Sequence, residues 1–230
     1  MIDPAQFADL PGLLGVPRFD RYLRSARGDR ARAIRLYAWN SEIASAFWGP
    51  LGCLEIVVRN AIHDALRSGR RDDWWNAPDV SLMDRERRAI DSAQQTLTRR
   101  GTGAPTAGDV VAATSLGFWV GLTDAGIPRH PHLSYETALW QPRVRRAFPG
   151  LGTVRRKQLH RKLDEVRRFR NRLAHHEPVF AAPLARVRDD VLEIAGFVHP
   201  DAHGFIDGAH RIDEVLARRS DVVDRGRAVI

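Results

Sequence analysis

Leu51-Gly52-Cys53-Leu54-Glu55-Ile56-Val57-Val58-Arg59-Asn60-Ala61-Ile62-His63-Asp64-Ala65-Leu66 decides how this chain folds. Taken alone, Ile56-Val57-Val58 favours a strand, because β-branched side chains suit an extended backbone. The longer pattern points the other way. Leu51, Leu54, Val58, Ala61, Ile62 and Ala65 share one helical face over a length that few strands reach. Read as a helix, the segment sets Glu55 and Arg59 four apart, where they can pair. Asn60 is polar inside an otherwise apolar helix and calls for a specific hydrogen-bond partner.

Working outward, the same period recurs. Before this segment, Ile34, Tyr37, Ala38, Ile43 and Ala44 mark a helix that Asp29 can cap and that Gly49-Pro50 can interrupt or end. Pro4, Pro11, Gly12, Gly15 and Pro17 make residues 1–17 an irregular lead-in. Phe19, Tyr22 and Leu23 begin a short helix that ends near Gly28. After the stop at Ser68-Gly69, Asp73-Trp74-Trp75 reads as a loop whose tryptophans anchor to the core, with a base-stacking platform as the alternative. Ser81–Leu97 is a helix with Asp84 as its capping-box partner. Gly101-Thr102-Gly103-Ala104-Pro105-Thr106 is a break. It lacks the Lys-Ser/Thr of a Walker phosphate loop, and no strand precedes it.

The most apolar stretch, 109–122, reads as one buried helix, with a buried strand as the alternative. His130 and His132 lie in the loop 124–134. They have no acidic or cysteine partner at ligand spacing and read as loop histidines. A short helix follows at Glu136–Trp140, and Arg143-Val144-Arg145-Arg146-Ala147-Phe148 adds basic charge. A major helix runs from near Thr153 through Phe169 and carries Arg155, Arg156, Lys157, Arg161, Arg167 and Arg168. Amphipathic helices are expected at Leu184–Phe197 and Ile206–Leu216. No set of alternating strands emerges. The expectation is an all-α chain with one domain over 18–217 and a polar tail over 218–230.

The formal net charge of +8, carried almost wholly by arginine, favours a polyanionic partner, RNA or DNA ahead of a membrane surface. Cys53 is the single cysteine, so no intrachain disulfide can form. It reads as a buried structural thiol in a reducing compartment. The first residues show neither the basic nor the apolar region of a leader, and no apolar run is read as long enough to span a bilayer. The expected location is the cytoplasm, away from membranes.

Chemistry concentrates in Arg168-Phe169-Arg170-Asn171-Arg172-Leu173-Ala174-His175-His176-Glu177-Pro178. Arginine holds phosphate oxygens and stabilises charge as it builds on them. Histidine titrates near neutral pH, so it can take a proton from a ribose 2′-OH or give one to a 5′-oxygen. Asn171 and His175 are four apart and share a helix face. Arg170 and His175 are five apart, about 140° around an ideal helix. They converge where the helix distorts or ends, or where a second copy of the chain supplies the partner group. Arg167, Arg168 and Arg172 are candidate RNA contacts. The chemistry asks for no metal and no cofactor. A plainer reading is a basic helix end, where arginine and histidine favour the dipole and free carbonyls.

Arg170-Asn171-Arg172-Leu173-Ala174-His175-His176-Glu177-Pro178 resembles the signature of Abi-like proteins, the family associated with abortive infection of phage-infected bacteria. These are similar to the HEPN superfamily, whose ribonucleases carry Arg-x4–6-His with a polar residue after the arginine. Leu36-Tyr37-Ala38-Trp39-Asn40, Leu54-Glu55-Ile56-Val57-Val58-Arg59-Asn60-Ala61 and Leu116-Gly117-Phe118-Trp119-Val120-Gly121-Leu122 resemble further blocks of the family, in its order. The resemblance implies a HEPN-like helical bundle with additional helices, a homodimer formed across the motif, and metal-independent RNA cleavage in a toxin-like defence role. An antitoxin or regulatory protein is an implied partner. Arg170 and His175 take the catalytic pair and Asn171 the polar position. His176, Glu177, Glu55, Arg59 and Asn60 take supporting positions, with the second block beside the site. A non-catalytic nucleic-acid-binding or protein-interaction module of the same fold is the alternative.

Overall fold

The computed structural model describes residues 3–101 and 103–227. The ends of the expected lead-in and tail, and Thr102 in the glycine-rich break, lie outside the described residues. The chain is all-α. Its helices are α1 (Leu10–Leu13), α2 (Val16–Ser25), α3 (Arg30–Arg67), α4 (Asp84–Arg99), α5 (Ala107–Ala113), α6 (Leu116–Gly121), α7 (Arg156–Ala174), α8 (Leu184–Val198), α9 (Pro200–Ala209), α10 (Ile212–Ala217) and α11 (Arg219–Arg225). Among the described residues the only extended pairing is an isolated bridge between Gly126 and Ser134.

The opening stretch is helical, and it does not stand alone. α3 starts at the expected cap, where Asp29 Oδ1 accepts from Arg32 N at 2.9 Å. It then continues through Gly49-Pro50 for 38 residues. Proline removes one helical donor, but neighbours on both sides hold the register. This corrects the expectation that no segment has membrane-spanning length. Joining the two halves makes α3 long and apolar enough by length and composition. Its inner stripe is core: Trp39, Ile43, Phe47, Leu51, Leu54, Val58 and Ile62 are all fully buried.

Three other helices are cut differently from expectation. α4 begins at Asp84, with Met83 as an N-cap that offers no side-chain bond, so the Ser81–Asp84 capping box does not form. Tyr135 instead accepts from Met83 N at 2.7 Å through its hydroxyl. The expected single helix over 109–122 is two, α5 and α6. Thr114 turns to extended geometry, and its hydroxyl donates to Val111 O at 2.7 Å, which ends α5. The segment Ile206–Leu216 is split between α9 and α10, and the expected tail holds α11 with Val222 and Val223 buried.

The chain divides into two compact units, with boundaries inside α3, α7, α8 and α9. The first comprises Met1–Gly52, Phe169–Asp189 and Asp207–Ile230, so far as these are described. Its core gathers aromatic rings. Tyr22 lies 5.3 Å from Tyr37 and 5.0 Å from Phe180, and Phe47 meets Phe169 edge-on at 4.8 Å. Trp39 donates to Val215 O at 3.0 Å, with the Arg219 guanidinium 4.7 Å above its ring.

The second unit comprises Cys53–Arg168 and Asp190–Ile206. Trp74 and Trp119 are fully buried and Trp75 nearly so, so the tryptophan pair is core rather than a stacking platform. Cys53 is half-buried. Buried Glu86 accepts from the Tyr135 hydroxyl at 2.8 Å and from Arg85 at 2.5 Å. Lys162 bridges Asp190 and Glu193.

Candidate functional site

The last turn of α7 carries Arg170, Asn171 and Arg172, with His175 directly after it, and sequence alone explains much of its shape. Phe169 and Leu173 are buried and fasten the turn by its inner face. His175, the cap residue after Ala174, donates from its N to Asn171 O at 3.0 Å. His176 then takes a left-handed conformation, with φ at 53°. Glu177 N donates to Arg172 O at 2.8 Å and His176 N to Leu173 O at 2.9 Å. These are the two bonds of a Schellman end, with histidine where glycine is usual. A non-glycine residue there costs about 1 kcal/mol. Pro178 follows and blocks any resumption of the helix.

The segment beyond is clamped from α3. Asn40, buried, accepts at Oδ1 from Val179 N at 2.7 Å and from Phe180 N at 3.0 Å. Sequence reading missed Asn40 as a site residue, although it sits in one of the quoted blocks. An unsatisfied-looking amide on the apolar stripe of α3 was the available signal. Glu42, fully buried, receives Arg218 Nη1 at 3.0 Å and was also missed.

Arg170 is half-buried, with its guanidinium 5.9 Å from the centroid of the Trp48 ring. Trp48 is 41 % exposed. Asn171 is half-buried, while His175, His176 and Glu177 are exposed. Five residues correspond to about 140° around an ideal helix, and Arg170 lies in α7 while His175 is the residue that follows it. The helix ends at Ala174, between the two residues, so convergence at a helix end and convergence through a second copy both stay open.

The candidate RNA contacts are engaged locally. Arg167 and Arg168 both reach Asp164, each at 2.7 Å. Arg172 donates to Pro178 O and lies 3.5 Å from Glu177, bracing its own turn. Arg168 is 71 % exposed at its side chain, so its pair is weak and releasable.

Glu55, Arg59 and Asn60 belong to the second unit. Asn60 is exposed rather than enclosed, on the outer stripe with Ile56, because α3 buries the opposite face. Its partner is its neighbour: Arg59 Nε donates to Asn60 Oδ1 at 3.1 Å. A role for these three at the motif rests on the resemblance alone. His130 closes its own loop, with Nδ1 accepting from Leu133 N at 3.0 Å and His132 N at 3.2 Å. Among the described residues, no three His, Cys, Asp or Glu side chains are grouped to hold a metal ion.

Compared with family models, curated proteins and solved structures, the chain matches none.

Proposed function

We propose that the chain is a metal-independent endoribonuclease of the HEPN type, acting as a toxin in phage defence. The observation that supports this most is the end of α7. It presents His175 to solvent one turn after Arg170, on a helix end fixed by the Schellman bonds and the Asn40 clamp. In the proposed reaction His175 takes the proton of a ribose 2′-OH. The 2′-oxygen attacks the adjacent phosphorus, the P–O5′ bond breaks, and a 2′,3′-cyclic phosphate and a 5′-OH remain. Arg170 holds the non-bridging oxygens as negative charge builds on them. The angle between Arg170 and His175 favours a composite site in which a second copy supplies one of the two. Exposed Trp48 beside Arg170 offers apolar surface for that copy.

The test is cleavage of RNA by the purified chain in EDTA, with end-group analysis. Cyclic phosphate ends, lost in both Arg170→Ala and His175→Ala, support the reading. Activity abolished by EDTA, or undiminished in His175→Ala, sinks it. The same divergence of Arg170 and His175 also favours a second reading, a nucleic-acid-binding module without catalysis. There His175→Ala leaves binding intact, and no RNA is cut at any pH.

A further inference from the structure

A second basic feature lies wholly within the second unit. A cleft of about 460 Å³ is walled by the turn after Leu151, the start of α7 and the segment around Trp140. Four cations line it, Arg145, Arg155, Arg156 and Lys157, against one carboxylate, Glu136. Glu136 is already matched. Arg156 Nε donates to it, and Gln141 donates to its other oxygen at 2.8 Å. Arg156 is held further by Thr123 O at 2.8 Å, which makes it part of the wall. Arg145, Arg155 and Lys157 are exposed, and among the described residues none has a carboxylate within ion-pairing distance. The cleft therefore carries three uncompensated positive charges, four cations less one carboxylate. Elsewhere on α7 arginines are answered by acids, as Arg167 and Arg168 are by Asp164.

We infer that this cleft binds the phosphate backbone of a single-stranded nucleic acid. Three flexible cations around an open depression suit a chain of separated phosphates, because each can follow one phosphate as the strand bends. A bilayer surface fits less well. Of the apolar residues of the cleft, Trp140 and Leu151 are buried and Val154 is half-buried, and no exposed large hydrophobic side chain lines it to enter lipid. Gly152 shapes the wall, with φ 55° and ψ −123°, a backbone region closed to side-chain-bearing residues. The inference shares with the ribonuclease reading only the polyanionic partner. It needs neither Arg170 nor His175.

The test measures binding without cleavage. The full chain carrying His175→Ala is titrated in EDTA with a fluorescent 20-nucleotide RNA, and with DNA of the same sequence, across a salt series. Arg145→Gln/Arg155→Gln/Lys157→Gln should lower the slope of log K against log salt by about 2, since each phosphate on a single strand contributes about 0.7. Arg145→Lys/Arg155→Lys/Lys157→Arg should restore it. Arg18→Gln/Arg21→Gln/Arg24→Gln removes the same charge from α2 and should leave the slope near that of the parent. An unchanged slope in the first variant, or an equal fall in the α2 variant, overturns the inference. So does flotation with anionic vesicles that the first variant loses while its RNA slope stays put. Intact binding with no cleavage by the unmutated chain would fail the ribonuclease reading and leave this one standing.

Discussion

Asn40 Oδ1 lies 2.7 Å from the amide of Val179, and the same oxygen takes the amide of Phe180 at 3.0 Å. One side chain on α3 thus satisfies two buried donors in the strand of chain that leaves the motif. Asn40→Ala would strand both. Each buried unmet donor costs about 1–3 kcal/mol, so a loss of about 2–4 kcal/mol is expected after partial relaxation. Urea unfolding measures the total. Hydrogen exchange at Val179 and Phe180 shows whether the loss is local, and protection there equal to that of the unmutated chain would refute the clamp.

His176 should yield stability when replaced. His176→Gly removes the left-handed penalty at the Schellman position and should raise stability by about 1 kcal/mol, or about 3 °C in Tm for a chain of this size. His176→Ala keeps the penalty and should not. If His176 also contacts RNA, the glycine variant gains Tm while losing activity, and the two readouts separate its roles.

Much of this was legible in the sequence, and the misses share a cause. The 3.6-residue period of Leu51, Leu54, Val58 and Ile62 gives the helix, and the Arg170–Pro178 run gives the candidate site. Helix ends depend on bonds that period does not encode. Thr114 breaks 109–122 because its hydroxyl finds Val111 O. Asp109 belongs to a capping box with Thr106, which moves the start of α5 back. The amide of Asn40 on an apolar stripe signals a need for partners, but not which ones, because they lie 139 and 140 positions away. Asn60 reads as a polar residue inside an apolar helix in need of a partner, yet α3 turns its stripe outward.

Gly121 should tolerate no side chain. A Cβ there would sit 2.6 Å from Glu86 Oε1. Glu86 is buried and held by Tyr135 and Arg85, so it cannot swing away cheaply. Gly121→Ala is expected to cost about 1–3 kcal/mol. Glu86→Gln in the same chain should not relieve the clash, whereas Glu86→Ala should. Chemical denaturation of the three variants checks the order.

His63 makes the second unit sensitive to acid. Its Nδ1 accepts from Trp74 Nε1 at 3.1 Å, and burial holds its pKa below the ordinary 6.5, outweighing the opposing pull of Asp64. The folded state therefore binds fewer protons than the unfolded state between the lowered pKa and 6.5. Stability is present above 6.5 and is lost as pH falls through that window. His63→Gln keeps an acceptor for Trp74 and does not titrate. It should flatten the fall in Tm between pH 7.5 and pH 5, and a parallel curve would exclude His63 as the cause.

The strongest check on the composite site uses two inactive proteins. On the proposed reading, Arg170 and His175, about 140° apart by residue count on an ideal helix, act on one phosphate from two copies. Arg170→Ala alone and His175→Ala alone should then each be inactive. Mixed after unfolding and refolding together, they form mixed dimers in which one of the two sites has an intact Arg170 from one copy and an intact His175 from the other. With random pairing, half the dimers are mixed and half their sites intact, so activity should return to about a quarter of the unmutated level. A site built within one chain predicts no return at all. Cross-linking or light scattering on the same mixture establishes that the dimers are present, so a null result with dimers in hand rejects the shared site.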